Sequence, residues 1–426
     1  MEVISELKKQ MNGYTLHVIK TDKYKTNTLV WKMKAPLNKA DVTKRAILPY
    51  VLQSDSKDYP TTEELRSYLD ELYGASLFVD LAKKGEYHII SFSIEIANEK
   101  FLADNTPLLQ KAFQFLAAIL TKPNANDSSF DADTVEKEKR TLKQRIQSVY
   151  DDKMRYASFR LVEEMCGEEP YALHVHGNKD DVDEITPMSL YEYYVKSFQE
   201  DELDLYIVGD VNEKEVEKYA KELFQFSERN PNVLRSSNYY KKEATHIVRE
   251  EQEVKQGKLN IGYRTNIKYG DQQYYALQAF NGIFGGFSHS KLFINVREKA
   301  SLAYYVASRL ESHKGLMMVM SGIDNKNYDQ AVSIINTQMD AMKQGDFHEE
   351  ELEQTKAVIK NQLLETIDTS RGTVEILYHN VVSKKEISLD DWIEQMEQVT
   401  KQDIIEVANN IQLDTIYFLT GKEDVK

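Results

Sequence analysis

Two stretches of the sequence, TPMSLYEYYVKSFQEDELDLYIVG (186–209) and TKQDIIEVANNIQLDTIYFLTG (400–421), share one order of features. Each begins with a threonine, continues as a short helical pattern, and then has a Leu-Asp pair before an apolar strand that ends in glycine. A threonine in this position is typical of a helix N-cap, and Pro187 suits a first helical turn. Because the two copies are separated by about half the chain, the sequence predicts two similar halves.

The two halves are predicted as an N-terminal unit at 1–228 and a C-terminal unit at 247–426, joined by a linker at 229–246. The linker is polar and contains Pro231, which favours an irregular connection. Within each half, groups of strands are separated by helices, and strands and helices do not alternate one by one. This order predicts an α+β fold of two repeated units, each a mainly antiparallel sheet backed by helices.

The composition disfavours several classes of function. The chain has 426 residues, and its 54 Lys and Arg against 69 Asp and Glu give a net charge of −15. Nucleic-acid binding is disfavoured because phosphate contacts need a basic surface. The single cysteine, Cys166, cannot form an internal disulfide, which favours an intracellular compartment. Apolar runs such as 115–120 are too short to span a membrane, and no signal-peptide pattern is visible, so we expect a cytoplasmic protein with no membrane partner.

Three further patterns are explained better by structure than by chemistry. His174 and His176 could ligate a metal, but no further ligand at metal spacing accompanies them, so a loop is the favoured interpretation. The glycines within 281–290 lack the lysine of a phosphate loop and the spacing of a dinucleotide site. The acidic runs 249–253 and 348–353 could attract basic peptides, but a solvated helix face or a linker is the more frequent explanation.

One longer segment carries a specific resemblance to a known family. GGFSHSKLFINVREKASLAYYVAS (285–308) resembles the pitrilysin-type, or insulinase-like, zinc peptidases, which include the mitochondrial processing peptidases. That family has Gly-Gly, Ser-x-Leu-Phe, Arg-Glu and Leu-Ala-Tyr at this spacing. PYALHVHGNKDDVDEIT (170–186) is similar to a second segment of the family. The resemblance implies paired α+β units that form one half of a clamshell.

The stretch that resembles the zinc motif of this family lacks its catalytic groups. The motif is HxxEH, in which two histidines bind zinc and the glutamate acts as general base. Ala46 and Tyr50 stand at the positions of the histidines, and Pro49 stands at that of the glutamate. In the downstream helix, Glu138 is retained, but Arg145 occupies the position of the third ligand. The resemblance therefore implies that this chain binds no metal and does not cut peptides alone.

The other half of the family's site is present. Arg297 and Tyr304 correspond to its Arg/Tyr pair, whose side chains donate hydrogen bonds to the substrate carbonyl and to the developing oxyanion. The alternative is structural, with a surface arginine beside Glu298 and a core tyrosine on a strand. Gly285 and Gly286 resemble a shortened form of the glycine-rich loop that is implicated in substrate handling in the non-catalytic mitochondrial subunit.

The resemblance also implies a strand that accepts substrate. Ser76, Leu77 and Phe78 stand on the edge strand to which a peptide adds in the family, and here only backbone pairing can be carried over. Together these matches predict a non-catalytic, substrate-binding subunit of a heterodimeric zinc peptidase. The expected partner is a homologous subunit that carries HxxEH and zinc, and the expected ligand is a peptide or an unfolded protein.

Two alternatives stay open at this point. The first is a pseudoenzyme scaffold that binds peptides or proteins and has no role in cleavage. A scaffold has no need of side chains that stabilise an oxyanion, so the presence of Arg297 and Tyr304 favours the peptidase subunit over it. The second is a self-sufficient peptidase with a metal site at His174 and His176. A homodimer of the chain in the absence of its partner is also left open, because an acidic surface and an interface look alike in a sequence.

Overall fold

The structure is a computed structural model, and it describes residues 4–103, 106–226, 229–232, 234 and 244–421. The strands are β1 (Glu6–Gln10), β2 (Thr15–Lys20), β3 (Thr26–Pro36), β4 (Ser76–Lys84), β5 (Tyr87–Ala97), β6 (Ala125–Asn126), β7 (Ser129–Phe130), β8 (Glu202–Gly209), β9 (His246–Gln252), β10 (Gly257–Arg264), β11 (Ala303–Glu311), β12 (Leu316–Ile323) and β13 (Gln412–Gly421). The helices are α1 (Val42–Ser54), α2 (Thr62–Glu71), α3 (Leu108–Thr121), α4 (Ala132–Asp151), α5 (Lys153–Cys166), α6 (Lys179–Glu184), α7 (Pro187–Glu200), α8 (Glu213–Leu223), α9 (Tyr274–Asn281), α10 (Tyr328–Gln344), α11 (Glu349–Ile367), α12 (Ser370–Ser383), α13 (Leu389–Gln398) and α14 (Lys401–Asn410). Among these helices, none is long and apolar enough to cross a membrane.

The two large sheets repeat one topology. The first has the strand order β1-β2-β8-β3-β5-β4, and the second has the order β11-β12-β10-β13-β9. In the first sheet β8 pairs in parallel with β2 and antiparallel with β3. In the second sheet β13 pairs in parallel with β9 and antiparallel with β10. The predicted fold of two repeated units with mainly antiparallel sheets is therefore confirmed.

The duplicated stretches occupy equivalent places in the two sheets. Thr186 accepts a hydrogen bond from the backbone N–H of Ser189, and Thr400 accepts one from that of Asp403, so both form capping boxes at the start of a helix. The strands that follow, β8 and β13, are interior strands with neighbours on both sides. Successive residues of both strands are buried over most of their length, so side chains on both faces are apolar and both copies read as nearly continuous apolar runs.

The aspartate of each Leu-Asp pair has a buried ionic partner. Asp204 lies 3.0 Å from Nε2 of His17, and Asp414 lies 2.8 Å from Nε of Arg264. Arg264 also forms a 2.6 Å ion pair with Glu169. Buried carboxylates need such partners because desolvation of an isolated charge is costly. The recurrence of Asp in both copies thus reflects a charge pair inside each sheet.

The compact units are discontinuous in sequence. One contains Met1–Gln147, Leu173–Arg235 and Ile367–Glu375, and the other contains Ser148–Ala172, Ser236–Thr366 and Ile376–Lys426, each taken over its described residues. The contiguous boundaries 1–228 and 247–426 remain a prediction, and most of the predicted linker at 229–246 lies outside the described residues.

Helix α5 shows why a segment from the first half of the sequence belongs to the second unit. Its apolar residues pack on the second sheet, where Leu161 and Met165 share a buried cluster with Met318 and Tyr417. The approach is close, because a Cβ atom at Gly262 would lie 2.6 Å from the sulfur of Met165. Sequence periodicity identifies the helix, but its partner sheet is distant along the chain: Tyr156 and Glu250, which are hydrogen-bonded to each other, are 94 residues apart.

The two acidic runs have different structures. The run 348–353 begins helix α11, with glutamates in its first turn, as the helical interpretation predicts. The run 249–253 is not a helix face or a linker, because its first residues belong to edge strand β9. Glu250 accepts hydrogen bonds from the hydroxyls of Tyr156 (2.6 Å) and Tyr417 (2.8 Å). Edge strands β1 and β9 escape detection from sequence because exposed, charged strands lack an apolar alternation.

His17 makes the stability of the first sheet dependent on pH. Its Nδ1 lies 2.7 Å from Glu6 and its Nε2 lies 3.0 Å from Asp204, and its ring stacks on Tyr206. Lys8 is the cation beside Glu6. Burial acts to lower the pKa of His17, but hydrogen bonds and charges from Asp204 and Glu6 outweigh burial and raise the pKa. The imidazolium form is therefore the stabilising one.

We expect protonated His17 to stabilise the folded state fully below its unfolded-state pKa of about 6.5. This stabilisation should be lost as the pH rises through the higher folded-state pKa. The melting temperature of the wild type should fall over that alkaline interval. His17→Gln should remove this part of the pH dependence, whereas the exposed control His348→Gln should keep it. Identical pH profiles of wild type and His17→Gln would contradict the assignment.

Candidate functional site

Helix α1 carries three of the four positions that the resemblance aligns with the zinc site. Ala46 is fully buried, and Pro49 lies inside the helix. Proline has no backbone N–H, so the helix loses one internal hydrogen bond at this turn but continues to Ser54. Neither side chain has a polar atom that could bind a metal or transfer a proton.

The fourth position, Arg145 on α4, meets Tyr50 of α1. The guanidinium carbon of Arg145 lies 3.4 Å from the centre of the Tyr50 ring, in a cation–π contact. On the same two helices, Ser54 donates a 3.1 Å hydrogen bond to Glu138. The structure thus brings two of the positions that the resemblance aligned with zinc ligands into direct contact.

This donor set does not fit zinc. Zinc in catalytic sites takes three ligands from imidazole, carboxylate or thiolate groups, and here the converging groups are a phenol and a guanidinium. The guanidinium is always charged and has no lone pair to donate. Burial raises the pKa of Tyr50 even though Arg145 acts in the opposite direction, so the phenol stays protonated. Over the described part of the chain, no group of three or more His, Cys, Asp or Glu side chains is placed to hold a metal ion.

His174 and His176 lie together in a loop of the same unit. Nδ1 of His174 accepts a 3.1 Å hydrogen bond from the backbone N–H of His176, and the two rings are 5.3 Å apart. Burial lowers the pKa of His174 to about 3, and burial together with the charge of Arg145 lowers the pKa of His176. Both imidazoles are therefore neutral near pH 7, and their hydrogen bond supports the loop interpretation.

Sequence reasoning missed a third histidine near this loop. His88 on β5 is 1% exposed, and burial and the charge of Arg45 lower its pKa well below the ordinary value. Charge interactions with His174 and His176 contribute in the same direction. A single histidine on an apolar strand carries no motif, so only the tertiary structure could reveal this cluster of neutral imidazoles.

The strand predicted to accept substrate is the outer strand of the first sheet. Ser76, Leu77 and Phe78 lie at the start of β4, which among the described strands pairs only with β5. Leu77 points into the core and Phe78 is 45% exposed on the opposite face. The guanidinium of Arg371 lies 3.8 Å from the Phe78 ring centre. The side-chain amide of Gln53 donates a 3.2 Å hydrogen bond to the carbonyl oxygen of Leu77.

Arg297 and Tyr304 lie on adjoining elements of the second unit. Arg297 is exposed on the π-helical segment Phe293–Lys299, with its guanidinium carbon 4.8 Å from the Phe293 ring centre. That segment packs against β11, the outer strand that carries Tyr304. The register of β11 against β12 shifts between Ala303 and Tyr305, so Tyr304 is the extra residue of a bulge. The Tyr304 side chain is 72% exposed, in contrast to the core tyrosine of the structural alternative.

Gly285 and Gly286 end a π-helical segment, Gly282–Gly286, in the second unit. Gly285 is buried, and a Cβ atom there would lie 2.7 Å from the hydroxyl of Ser308 on β11. A Cβ atom at Gly286 would lie 3.0 Å from the carbonyl oxygen of Asn281. Close packing is thus a sufficient reason for both glycines, and their role in substrate binding remains a prediction.

A repeated α+β fold, with alanine, proline and tyrosine on the helix that the resemblance aligns with the zinc motif, defines the class of metallopeptidase homologues. The chain belongs to the M16 family of metallopeptidases, which confirms the resemblance to pitrilysin-type enzymes. It is 56% identical over 423 residues, 99% of both chains, to the "Probable inactive metalloprotease YmfF" of Bacillus subtilis strain 168. Residues 184–359 match the family described as the peptidase M16 inactive domain.

Two further comparisons extend this assignment. A crystal structure of a conserved protein from Enterococcus faecalis V583 superimposes with a TM-score of 0.93 at 37% identity, over 99% of this chain and 100% of the other. The beta subunit of the mitochondrial-processing peptidase of Saccharomyces cerevisiae is 23% identical over 330 residues, 73% of this chain and 69% of that subunit. The chain is therefore a homologue of both an inactive metalloprotease and a processing-peptidase subunit.

Proposed function

We propose that this chain is a non-catalytic, peptide-binding subunit that supplies Arg297 and Tyr304 to the zinc site of a homologous partner carrying HxxEH. The observation that carries the proposal is the exposure of Tyr304. A tyrosine that is 72% exposed at a strand bulge contributes little to its own core, while its hydroxyl is available as a donor. The guanidinium of Arg297 offers a second donor from an exposed helical segment that packs against the same strand.

These two groups suit stabilisation of an oxyanion. In peptide hydrolysis the carbonyl oxygen gains negative charge in the transition state, and fixed donors aimed at that oxygen lower the barrier. A permanently charged guanidinium and a phenol with its proton are both donors at neutral pH. The residues do not activate water, so the proposal requires zinc and the general base to come from the partner.

The contact between Tyr50 and Arg145 supports a non-catalytic role for the first unit. A guanidinium at a zinc-ligand position brings positive charge to the place where the dication would bind, and opposes it electrostatically. The name of the 56% identical relative, a probable inactive metalloprotease, agrees with this inference. The yeast relative is named as a subunit, which supports the expectation of a heteromeric assembly.

Peptide binding is proposed for the free edge of β4. Main-chain groups of an outer strand can pair with an added extended peptide, as in other cases of strand addition. The exposed ring of Phe78 on this strand offers an apolar contact for the added segment. A peptide or unfolded protein is the ligand class that such an edge accepts, because its main chain must be free to pair.

Mass spectrometry of proteins that co-purify with the chain, tagged at its native level in its own cells, tests the proposal. A stoichiometric partner that contains HxxEH is expected. The recombinant pair should then cleave peptides faster than the partner alone. A chain that is recovered only with itself, or a pair no more active than the partner alone, would reject the proposal and favour the pseudoenzyme scaffold.

A further inference from the structure

The hydrogen bond between Gln53 and Leu77 lies at the free edge of the first sheet. Strand β4 is hydrogen-bonded to β5 on one side, and the opposite side is the outer edge. Neighbouring strands are about 4.8 Å apart, and the gap between them is filled by the ladder of main-chain bonds. The two-residue turn pairs Lys84 with Tyr87, and hydrogen-bonded pairs alternate from there, so the main-chain groups of Leu77 point away from β5. The Gln53 amide therefore contacts the Leu77 carbonyl, at 3.2 Å, on the free side of β4.

Gln53 thus occupies a position that a main-chain N–H of an added strand would need. An added peptide pairs with an outer strand by donating its N–H groups to carbonyls of that strand and accepting from its N–H groups. The carbonyl of Leu77 already accepts from the Gln53 amide. A half-buried glutamine on a helix can rotate away from this carbonyl without unfolding the helix, because only its side chain takes part.

The exposed ring of Phe78 borders the free edge of β4, on the face of the sheet opposite the Leu77 side chain. The ring of Phe78 is covered on one side by the guanidinium of Arg371, which also lies 3.8 Å from Glu95. The segment that carries Arg371 belongs to the first unit, so Arg371, Phe78 and Glu95 lie in the same compact unit. An added strand would place its side chains alternately toward Gln53 and toward the Phe78 ring.

We propose that the side-chain amide of Gln53 is a displaceable cap on the free edge of β4, and that an extended peptide binds by replacing it at the Leu77 carbonyl. This inference rests on the proposed function and deepens it by defining the ligand. The peptide must have a free main-chain N–H opposite Leu77, so proline or an N-methylated residue is excluded there. It should carry an apolar side chain at the neighbouring position, against Phe78.

The test measures binding of a labelled peptide by fluorescence anisotropy. The probe is a fluorescein-labelled decapeptide of alternating valine and threonine flanked by lysines, compared with the same peptide N-methylated at alternate residues. The two probes have equal charge, so a difference between them reports main-chain pairing. Gln53→Met removes the amide and preserves the side-chain length, and Gln53→Ala serves as a second variant. Gln344→Met, at an exposed helical position of the second unit, is the matched control.

We expect the unmodified probe to bind Gln53→Met about twofold to tenfold more tightly than the wild type, which is the factor set by one competing hydrogen bond of ordinary net strength. The N-methylated probe should not bind, and Gln344→Met should match the wild type. Amide hydrogen exchange along β4 should be slower when the probe is bound, because the probe accepts from outward N–H groups of the strand.

Two other outcomes separate this inference from the function on which it rests. Equal or weaker binding by both Gln53 variants, with the N-methylated probe still excluded, overturns the cap and leaves peptide binding at β4 intact. Binding that ignores N-methylation, or no binding to any variant, overturns both the cap and the assignment of β4 as the peptide-binding edge. The contribution of Arg297 and Tyr304 to a partner's activity is tested separately, by the peptidase activity of the recombinant pair.

Discussion

Replacement of Arg297 by alanine is expected to lower kcat about a hundredfold to a thousandfold in the proposed complex of this chain with an HxxEH-bearing subunit. This is the loss that typically follows removal of one oxyanion donor. Because the donor acts mainly on charge that develops in the transition state, kcat and kcat/KM should fall together. The side chain is exposed and stacks on Phe293, so its truncation should leave the fold intact.

Tyr304→Phe is the companion change, because it removes only the hydroxyl group. With 72% of this side chain exposed, loss of the hydroxyl should not alter the melting temperature, and any fall in kcat reports the donor itself. Arg66→Ala on the exposed face of α2 controls for loss of surface charge. An unchanged kcat in the double variant Arg297→Ala, Tyr304→Phe would reject the role of this pair as oxyanion donors. The pseudoenzyme scaffold would then be the better supported function.

Restoration of the zinc motif should convert the first unit into a metal-binding protein. The quadruple change Ala46→His, Pro49→Glu, Tyr50→His and Arg145→Glu supplies two imidazoles, a base and a carboxylate at the degenerate positions. Tyr50 and Arg145 already lie in contact, at 3.4 Å from guanidinium carbon to ring centre, so the new ligands should converge. Three protein ligands with an open fourth position form the usual catalytic zinc site.

The expected result is one zinc ion per chain of the quadruple variant, measured by elemental analysis after dialysis, with none retained by the wild type. A triple variant that keeps Arg145 is the matched control. It should bind zinc far more weakly, since it lacks one ligand and retains a positive charge at the site. Stoichiometric zinc in the wild type would contradict the assignment of these four positions as a degenerate site.

Most residues of the candidate site were predicted individually from the sequence. The contacts between these residues became known only from the structure. The loss of zinc ligands follows from residue types alone, because alanine and proline have no donor atom in their side chains. The contact of Tyr50 with Arg145 does not follow from residue types, since it depends on how α1 and α4 pack. The sequence motif favoured Tyr304 as an oxyanion donor over a core tyrosine, and the bulge in β11 then gave the exposure of its side chain.

Local signals were sufficient for the repeated fold. Threonine caps, helical periodicity and apolar strands act over a few residues, so the duplicated order at 186–209 and 400–421 predicted both units and their mainly antiparallel sheets. The exposed edge strands β1 and β9 were missed because solvent on their outer side removes the apolar alternation that identifies a strand.

The sequence by itself determined the family and the α+β repeat and predicted the loss of the zinc ligands, since each depends on which side chains are present and in what order. The tertiary structure alone decided that α5 packs on the second sheet, that Gln53 reaches the Leu77 carbonyl, and that Tyr304 projects from a bulge. These features arise from contacts between residues distant in the chain or from sheet register. Such contacts are fixed by the packing of whole elements and leave no local pattern in the sequence.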